Sequence, residues 1–403
     1  MRNCKLEIHC QPDAVVTSPD YAKRLVEEAG VDGFILRTGY GLDYPKTISQ
    51  AIQLLRDLSV KVSFLIGSWW GGEIREVENL PSKSWESKYP MDMPGSSKDE
   101  AIIDKYKTLC SRYHPDSVVL THTRYRHPAY LDGIFCEGDG DPAYLSRMSS
   151  SGISRTEILS ARASWESAIG KADINTLLSA SENGLVSFLC ELSQSDAVAR
   201  LMDFRCRSVN DSMTRFRQVI NDCGVPFGSN IYSPIASIIC GQTYDAYTAM
   251  CDFVQPLLPF MEYQRYEPLA AWARYLMTHS KMDEMNAILI ARRLFYLGDT
   301  ICPQSIKELD TCLEGDGKMV YAIMKKELSM CAPYLSGQAM IQPVFRGKGW
   351  DWNVTDELMD EARTLGINSF AFMGCEYLLR DTTPPDTGYK YSLTDPSPGD
   401  GWF

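Results

Sequence analysis

The sequence predicts an α/β fold, a (β/α)8 TIM barrel, from a local unit that recurs along its 403 residues. In this unit an amphipathic helix ends at a glycine, and a short apolar run follows almost at once. The unit stands at Tyr21–Arg37, at Phe216–Tyr232 and at Glu357–Gly374. Each apolar run is nearly continuous, as in a parallel strand that is buried on both faces. Helix-then-strand units repeated from one end of a chain to the other indicate one parallel sheet covered by helices.

The candidate strands number eight, which is the strand count of a (β/α)8 barrel. They are Leu6–Cys10, Gly33–Arg37, Val62–Ile66, Gly133–Cys136, Pro226–Ile231, Phe253–Leu258, Ala339–Phe345 and Ser369–Met373. The glycine at each helix-to-strand junction is expected to take the left-handed conformation that ends a helix. An open doubly wound sheet is the alternative. It is disfavoured because His9-Cys-Gln-Pro-Asp follows the first strand, in place of a glycine-rich phosphate turn.

The whole chain, 1–403, is expected to form a single barrel domain with connections of unequal length. Long loop or helical sequence follows strands 3, 4 and 6, and we predict insertions at about 68–110, 140–202 and 267–336. The Pro-, Gly- and Asp-rich segment 381–403 is expected to be an irregular tail. Segments that follow the carboxyl ends of barrel strands lie on the catalytic face, where long loops shape substrate pockets.

Composition and charge exclude several classes of protein. With 44% apolar and 23% charged residues, the chain is not collagen-like, coiled-coil or wholly disordered. Its net charge of −12 argues against general nucleic-acid binding. The sequence contains no signal-peptide or membrane-spanning stretch. The 13 cysteines contain no CxxC pair, so we expect reduced thiols in a cytoplasmic protein. Histidines number only 5, and we expect no metal centre and no cofactor. Homo-oligomer formation is left open.

The densest group of acidic residues lies in 131–141, where the fourth predicted strand ends. Glu137 and Asp139 are two positions apart, so in extended backbone both side chains face the same side. Repulsion within such a pair keeps one carboxylic acid protonated near neutral pH. The alternative is an acidic turn without a catalytic role. Just upstream, Arg124 and Arg126 could orient a substrate or could pair with surface acids.

Aromatic and polar residues follow the other predicted strands. Trp69 and Trp70 follow strand 3, and Trp350 follows strand 7. Indole rings stack on the apolar faces of sugar rings, although core packing is the alternative for such residues. Nine further residues at strand ends could bond a polyhydroxylated ligand: His9, Arg37, Tyr40, Asn230, Tyr232, Glu262, Tyr263, Arg346 and Glu376.

Several segments resemble a broad superfamily of glycoside-hydrolase-like (β/α)8 barrels. The longest is Gly241–Tyr263, with its GQTYDAYTAMCDFVQPLLPFMEY sequence, and Phe204-Arg205, Gly337–Pro343 and Gly366–Phe370 show the same loose similarity. These segments cover the C-terminal half of the chain. The resemblance implies a barrel that acts on carbohydrate.

A second resemblance lies in the strand-4 region. Asp132-Gly133-Ile134 is similar to the opening of strand 4 in chitinase-like barrels, where carboxylates follow at alternating positions. Phe135 stands where that pattern has an Asp, and Asp139 stands where it has the proton-donating Glu. The acid therefore stays open between Glu137 and Asp139. Strand 7 ends in Arg346 rather than in Glu, so the mechanism with a nucleophile after strand 7 does not carry over.

Taken with the residue patterns, these resemblances favour a glycoside hydrolase that acts on a sugar or oligosaccharide. Glu137 or Asp139 would be the acid, and Glu262 or Glu376 would be the opposing carboxylate. Arg124 and Arg126 would orient the substrate. The walls of the site would be Trp69, Trp70, Tyr232, Tyr263 and Trp350.

Two other hypotheses stay open. One is a metal-dependent sugar isomerase or epimerase on the same barrel, with Glu137, Asp139, His9 or Glu376 as ligands. The other is a carbohydrate-binding barrel without catalysis, because a fold does not guarantee a reaction.

Overall fold

The computed structural model describes residues 4–38, 45–66, 94–95, 98–125, 134–135, 142–258, 266–312, 317–346 and 352–380. Within these ranges it contains nine parallel strands and a layer of helices. The strands are β1 (Lys5–Cys10), β2 (Gly33–Arg37), β3 (Lys61–Ile66), β4 (Ser117–Leu120), β5 (Phe227–Ile231), β6 (Phe253–Pro256), β7 (Met340–Ile341), β8 (Val344–Arg346) and β9 (Ser369–Met373). The fold is therefore α/β, as predicted.

The strands form one parallel sheet that curls in the manner of a TIM barrel. Their order is β7-β6-β5-β4-β3-β2-β1-β9-β8. The two ends of this order are consecutive in the chain, because only Gln342 and Pro343 separate β7 from β8. A parallel bridge between Leu257, directly after β6, and Val344 of β8 brings the two ends of the sheet together.

One predicted strand, Ala339–Phe345, is divided into β7 and β8 at Pro343. Before the division the chain pairs with β6, where Met340 lies opposite Phe253. After the division it pairs with β9, where Val344 lies opposite Ala371. Proline has no N–H to donate to a ladder. Its carbonyl still accepts from the backbone N–H of Ala371 at 3.0 Å. The proline thus marks the point where the chain changes its strand partner.

Side chains alternate between the two faces of the curled sheet, and each face has its own apolar cluster. Ile8, Phe34 and Val118 belong to the large cluster between the strands and the helices. The inner face holds a second, smaller cluster, whose members are Ile35, Leu65, Val119, Phe253, Leu257, Val344, Ala371 and Met373. A sheet that is apolar on both faces explains why the strand sequences read as continuous apolar runs.

Helices occupy the connections that follow the strands. They are α1 (Pro12–Thr17), α2 (Pro19–Glu27), α3 (Pro45–Asp57), α4 (Lys98–Tyr113), α5 (Pro142–Ser150), α6 (Arg155–Ile169), α7 (Ile174–Ala180), α8 (Gly184–Ser193), α9 (Ala197–Asp222), α10 (Tyr244–Met250), α11 (Tyr266–Ser280), α12 (Glu284–Leu294), α13 (Ile306–Cys312), α14 (Gly317–Cys331), α15 (Trp352–Thr364) and α16 (Glu376–Leu379). Helices α5–α9 lie between β4 and β5, and α11–α14 lie between β6 and β7. The predicted bounds of the insertions and the single-domain organisation stay predictions.

The glycines at the three predicted junctions take the left-handed conformation. Gly30, Gly224 and Gly366 have φ angles of 70°, 69° and 89°. Each follows a helix and precedes a strand by a few residues. A residue with a Cβ is strained in this conformation, which explains the glycine in each recurring unit.

The fourth strand is at Ser117–Leu120, so the prediction of a strand at Gly133–Cys136 is wrong. Within the predicted range, Ile134 and the residue after it are helical instead. The true strand pairs with β3, through Ser63 with Ser117. It follows the same kind of junction, but His114, with φ 47°, takes the left-handed conformation in place of a glycine. Because this position is not a glycine, the helix-to-strand turn has no recognisable signal in the sequence.

Three aspartates fasten the amino ends of neighbouring strands to each other. Asp32, Asp116 and Asp252 each directly precede a strand. Their Oδ2 atoms accept the backbone N–H of Leu6, Val62 and Phe227 at 2.8, 2.7 and 2.8 Å. Each aspartate returns a bond of 2.8 Å from its own N–H to the carbonyl of the same partner. These reciprocal bonds fix the register of β1 with β2, of β3 with β4 and of β5 with β6.

The inner packing of the sheet predicts that Gly228 does not tolerate a larger side chain. A Cβ at this position would lie 2.3 Å from the Phe253 ring of the neighbouring strand. We expect Gly228→Ala to lower the free energy of unfolding by about 1–3 kcal/mol through overpacking. Urea unfolding followed by circular dichroism measures this loss.

Gly170→Ala is the matched control, because the nearest atom to its added Cβ is 3.6 Å away and its φ is −73°. We expect this variant to be as stable as the parent protein. Equal stability of the two variants would contradict the packing described for Gly228.

Candidate functional site

Polar side chains from most of the strands meet on the inner face of the curled sheet. These side chains face the same side of the sheet as the inner apolar cluster. They lie nearer to the carboxyl end of each strand or directly beyond that end. All of them are buried. We call them the interior polar cluster; they are His9, Arg37, Thr121, Asn230, Gln255 and Gln342. Carboxyl ends of parallel strands meet at one edge, so this cluster lies where barrels of this kind place their sites.

His9 is a neutral ring in this cluster. Its side chain is 1% exposed. Burial, together with a smaller effect of the Arg37 guanidinium, lowers the pKa of His9 from 6.5 to about 3. The Gln255 side chain beside the ring raises the pKa by a smaller amount, although neither ring nitrogen meets hydrogen-bond geometry with a described residue. His9 is therefore a hydrogen-bonding group, and it is not a source of positive charge near neutral pH.

Asn230 joins β5 to the end of β4. Its Nδ2 donates to Thr121 Oγ1 at 3.0 Å, in a buried contact. Its Oδ1 is buried without a hydrogen-bond partner among the described residues. Because an unpaired buried acceptor costs free energy, such an atom is a suitable partner for a donor on a bound ligand. The arrangement fixes one end of the amide and leaves its acceptor for another group.

Two buried arginines contribute donors near this end of the sheet. Arg37 ends β2, and its Nη2 lies 3.5 Å from Met373 Sδ of β9. Arg124 follows β4, and its Nη1 donates to the carbonyl of Tyr125 at 2.9 Å. The Arg124 guanidinium carbon also lies 5.0 Å from the centre of the Tyr232 ring. A guanidinium in such a position can bond hydroxyl or carboxylate oxygens with a fixed geometry.

Gln242 positions Tyr232, the residue that follows β5. Its Oε1 accepts from the Tyr232 backbone N–H at 2.7 Å. Its Nε2 donates to the Thr123 carbonyl at 3.1 Å and lies 2.8 Å from the Tyr247 hydroxyl. The Tyr247 hydroxyl in turn donates to the same carbonyl at 3.0 Å. This buried amide connects the segments after β4 and β5 and holds the backbone of Tyr232 in place.

Sequence reasoning missed the polar residues further inside the sheet. Glu7, Gln255, Gln342 and Ser369 are buried and bond to one another, and Lys61 pairs with Glu7 at 2.9 Å. Their signal in the sequence is one or two polar residues inside an otherwise apolar strand, as with Glu7 and His9 in Leu6-Glu-Ile-His-Cys10. A buried polar residue must find a partner, so such residues point to a polar interior.

The structure brings some of the predicted site residues together and leaves others untested. His9 lies beside Arg37, and Arg124 lies beside Tyr232. The backbone of Glu376 begins α16, soon after the end of β9. The predicted residues that lie outside the described ranges are Tyr40, Trp69, Trp70, Arg126, Glu137, Asp139, Glu262, Tyr263 and Trp350.

The described residues also contain an apolar cavity of about 680 Å³ at the opposite end of the sheet. It lies where β1, β7 and β9 begin, and its lining includes Leu335, Met340, Ile341 and Ile367. His9 and Arg37 of the interior polar cluster lie towards the other ends of their strands. The cavity still touches this cluster at one point, because Ser369, which lines the cavity, accepts a hydrogen bond from Gln342 at 2.9 Å.

No group of three or more His, Cys, Asp or Glu side chains in the described ranges is arranged to hold a metal ion. The same ranges contain no helix with the length and apolar character needed to cross a membrane.

Comparisons with known proteins give similarity in the arrangement of the chain only. No family model and no curated protein matches the sequence. Among solved structures, a chitinase from Chromobacterium violaceum matches with 7% identity over 63% of this chain and 56% of its own, at a TM-score of 0.30. A spore cortex-lytic enzyme from Bacillus megaterium matches with 7% identity over 69% and 48%, at 0.32. An isomaltulose synthase from Klebsiella matches with 6% identity over 85% and 57%, at 0.33.

The chain spans about half the length of these matched structures. At these TM-scores the matches do not bear on the activity of this chain.

The position of Gln242 predicts a large effect when its amide is removed. We expect Gln242→Met to lower the free energy of unfolding by about 1–3 kcal/mol, because the backbone N–H of Tyr232 is left buried without an acceptor. Chemical denaturation measures the loss. Gln53→Met is the control, since Gln53 is exposed on α3 and bonds only to Asp57 among the described residues. A loss as large in the control would contradict the role of Gln242.

The burial of His9 predicts how stability depends on pH. The unfolded ring takes up a proton near pH 6.5, whereas the folded ring resists protonation until about pH 3. Protonation therefore favours the unfolded chain, and His9 lowers stability as the pH falls below about 6.5.

We expect His9→Gln to remove this contribution. Between about pH 4 and pH 6, the free energy of unfolding of the parent should fall more steeply than that of the variant, by about 1.4 kcal/mol per pH unit. Urea titrations at several pH values give both slopes. Parallel slopes would mean that the folded ring takes up its proton normally.

Proposed function

We propose that the protein is a glycoside hydrolase whose substrate binds at the carboxyl ends of the strands. The observation that supports this most directly is the interior polar cluster. It combines guanidinium donors, amide groups and a neutral imidazole from several strands, which is the mixture that a polyhydroxylated ligand requires. A site for an ion or an apolar ligand would not need so many neutral donors and acceptors.

The positions of the other proposed residues along the chain support the same site. Glu137 and Asp139 lie in the connection from β4 to α5, and Glu262 lies in the connection from β6 to α11. Glu376 begins the helix after β9. Such connections follow the carboxyl ends of parallel strands, so we expect the four carboxyl groups on the side where the interior polar cluster lies. The corrected position of β4 does not change this side.

The reaction that we propose needs two carboxyl groups. One carboxylic acid, Glu137 or Asp139, gives a proton to the oxygen of the leaving group. The opposing carboxylate, Glu262 or Glu376, stabilises the positive charge on the sugar ring, or activates the water that attacks it. Arg124 and Arg126 orient the sugar. Aromatic side chains form the walls of the site, and we assign this role to Trp69, Trp70, Tyr232, Tyr263 and Trp350.

A panel of aryl glycosides of both anomers tests this function. We expect hydrolysis of at least one member, and a loss of about 100-fold or more in kcat in Glu137→Gln or in Asp139→Asn, because a positioned acid contributes at least that factor. Glu166→Gln is the control. Glu166 is a surface carboxylate on α6 that pairs with Arg162 at 3.0 Å, and its removal should leave the rate unchanged.

The other results separate the alternatives. Full activity in both acid variants would remove these two residues from the mechanism. Binding of glycosides without hydrolysis would indicate a carbohydrate-binding barrel. Sugar isomerisation that is lost on treatment with a chelator would indicate the metal-dependent alternative.

A further inference from the structure

A continuous chain of side-chain hydrogen bonds runs through the interior of the curled sheet. It begins at Glu7 of β1, which is 6% exposed. Glu7 Oε1 accepts from Lys61 Nζ at 2.9 Å, and Glu7 Oε2 accepts from Gln342 Nε2 at 3.2 Å. Gln342 Oε1 then accepts from Gln255 Nε2 at 2.7 Å. These bonds join β1, the segment between β7 and β8, and β6 with no backbone atom in between.

The chemistry of its first member gives this chain a single direction. A carboxylate that is paired with an ammonium group has no hydrogen to donate, so Gln342 must turn its NH2 group towards Glu7. Both hydrogens of that NH2 group have acceptors, because Gln342 Nε2 also donates to Ser369 Oγ at 2.9 Å. The Gln342 oxygen is left to accept from Gln255. Gln255 must therefore direct its own oxygen away from Gln342.

The next polar group beyond Gln255 is the ring of His9. The Gln255 side chain lies close enough to the ring to act on its pKa. Gln255 Oε1 and both ring nitrogens are buried and lack a partner of good geometry in the described ranges. Because an amide oxygen can only accept, a neutral ring satisfies it with its N–H and keeps a lone pair on the other nitrogen.

We propose that Glu7 is a positioning residue that acts through Gln342 and Gln255 to hold His9 in one neutral tautomer. The ring N–H faces Gln255, and the opposite nitrogen is a hydrogen-bond acceptor. The orientation of Gln342 is set by Glu7, and the orientation of Gln255 is set by Gln342. The Glu7 carboxylate, at the interior end of this series of hydrogen bonds, thus determines which His9 nitrogen carries the hydrogen.

The consequence for binding rests on the proposed function. In a glycoside-binding site, the unprotonated nitrogen of His9 accepts a hydrogen bond from a sugar hydroxyl, and the ring does not act as a proton donor. A hydrogen bond from a neighbouring side chain to one ring nitrogen commonly fixes the tautomer of a functional histidine. The tautomer itself exists without substrate and can be measured separately.

Nuclear magnetic resonance of the full-length protein with 15N-labelled histidine tests the proposal. His9→Gln assigns the His9 signals. We expect one protonated and one unprotonated ring nitrogen, unchanged between about pH 5 and pH 8. In Glu7→Gln the new amide can donate as well as accept, so Gln342 can turn either way. We expect both His9 nitrogen signals to move towards the average of the two tautomers.

Gln342→Met interrupts the same chain in its middle and gives an independent test if Glu7→Gln does not fold. It should produce the same averaging. Ser369→Ala is the matched control, because it removes a partner of Gln342 but leaves Glu7 in place, and His9 should keep one tautomer. His279, whose Nδ1 lies 2.9 Å from the Tyr275 carbonyl, is an internal reference that should not change.

The proposal would be overturned by a His9 ring that titrates between about pH 5 and pH 8. It would also be overturned if the His9 signals of Glu7→Gln and of Gln342→Met were the same as those of the parent. A failed glycoside screen with an intact tautomer pattern would overturn the proposed function alone.

Where hydrolysis is found, Glu7→Gln should raise KM by more than it lowers kcat, because it disturbs a binding contact and no reacting carboxyl group.

Discussion

The inner face of a parallel sheet that curls on itself is the constraint on which the rest of this structure depends. The described side chains on it are buried, so a polar side chain there must find its partner on another strand. The sheet meets this requirement by dividing its inner positions into an apolar cluster and a polar cluster. Asn230 bonds across to Thr121, and Gln255 bonds across to Gln342. These bonds hold side chains from distant parts of the chain in fixed orientations, which is what a binding site requires.

Much of the fold could be predicted because its signals are local. Gly30, Gly224 and Gly366 end helices in a conformation that other residues adopt with strain, and strands rich in apolar residues follow them. The fourth strand could not be found in this way, since His114 takes the left-handed conformation itself. The division of strand 7 was also hidden. Pro343 shows that a ladder bond is missing, but only the tertiary arrangement shows that the strand changes its partner there.

The candidate site was less accessible to sequence reasoning, for a physical reason. Strand ends identified His9 and Arg37, because a side chain at the end of a buried strand is placed by periodicity alone. The roles of Glu7 and Gln342 depend on contacts across the sheet, which the chain positions do not encode. Gln242 follows a turn rather than a strand, so no periodicity marks it, and its three polar contacts exist only in the folded chain.

The reciprocal bonds of Asp32, Asp116 and Asp252 have a consequence for the order of assembly. They join groups that are 26, 54 and 25 positions apart in the chain, so the entropy lost in closing each loop is small. Contacts between β2 and β9, such as that of Arg37 with Met373, join groups 336 positions apart. Neighbouring strand pairs can thus form early and independently, and we expect the joining of the first part of the chain to the last to come late in folding.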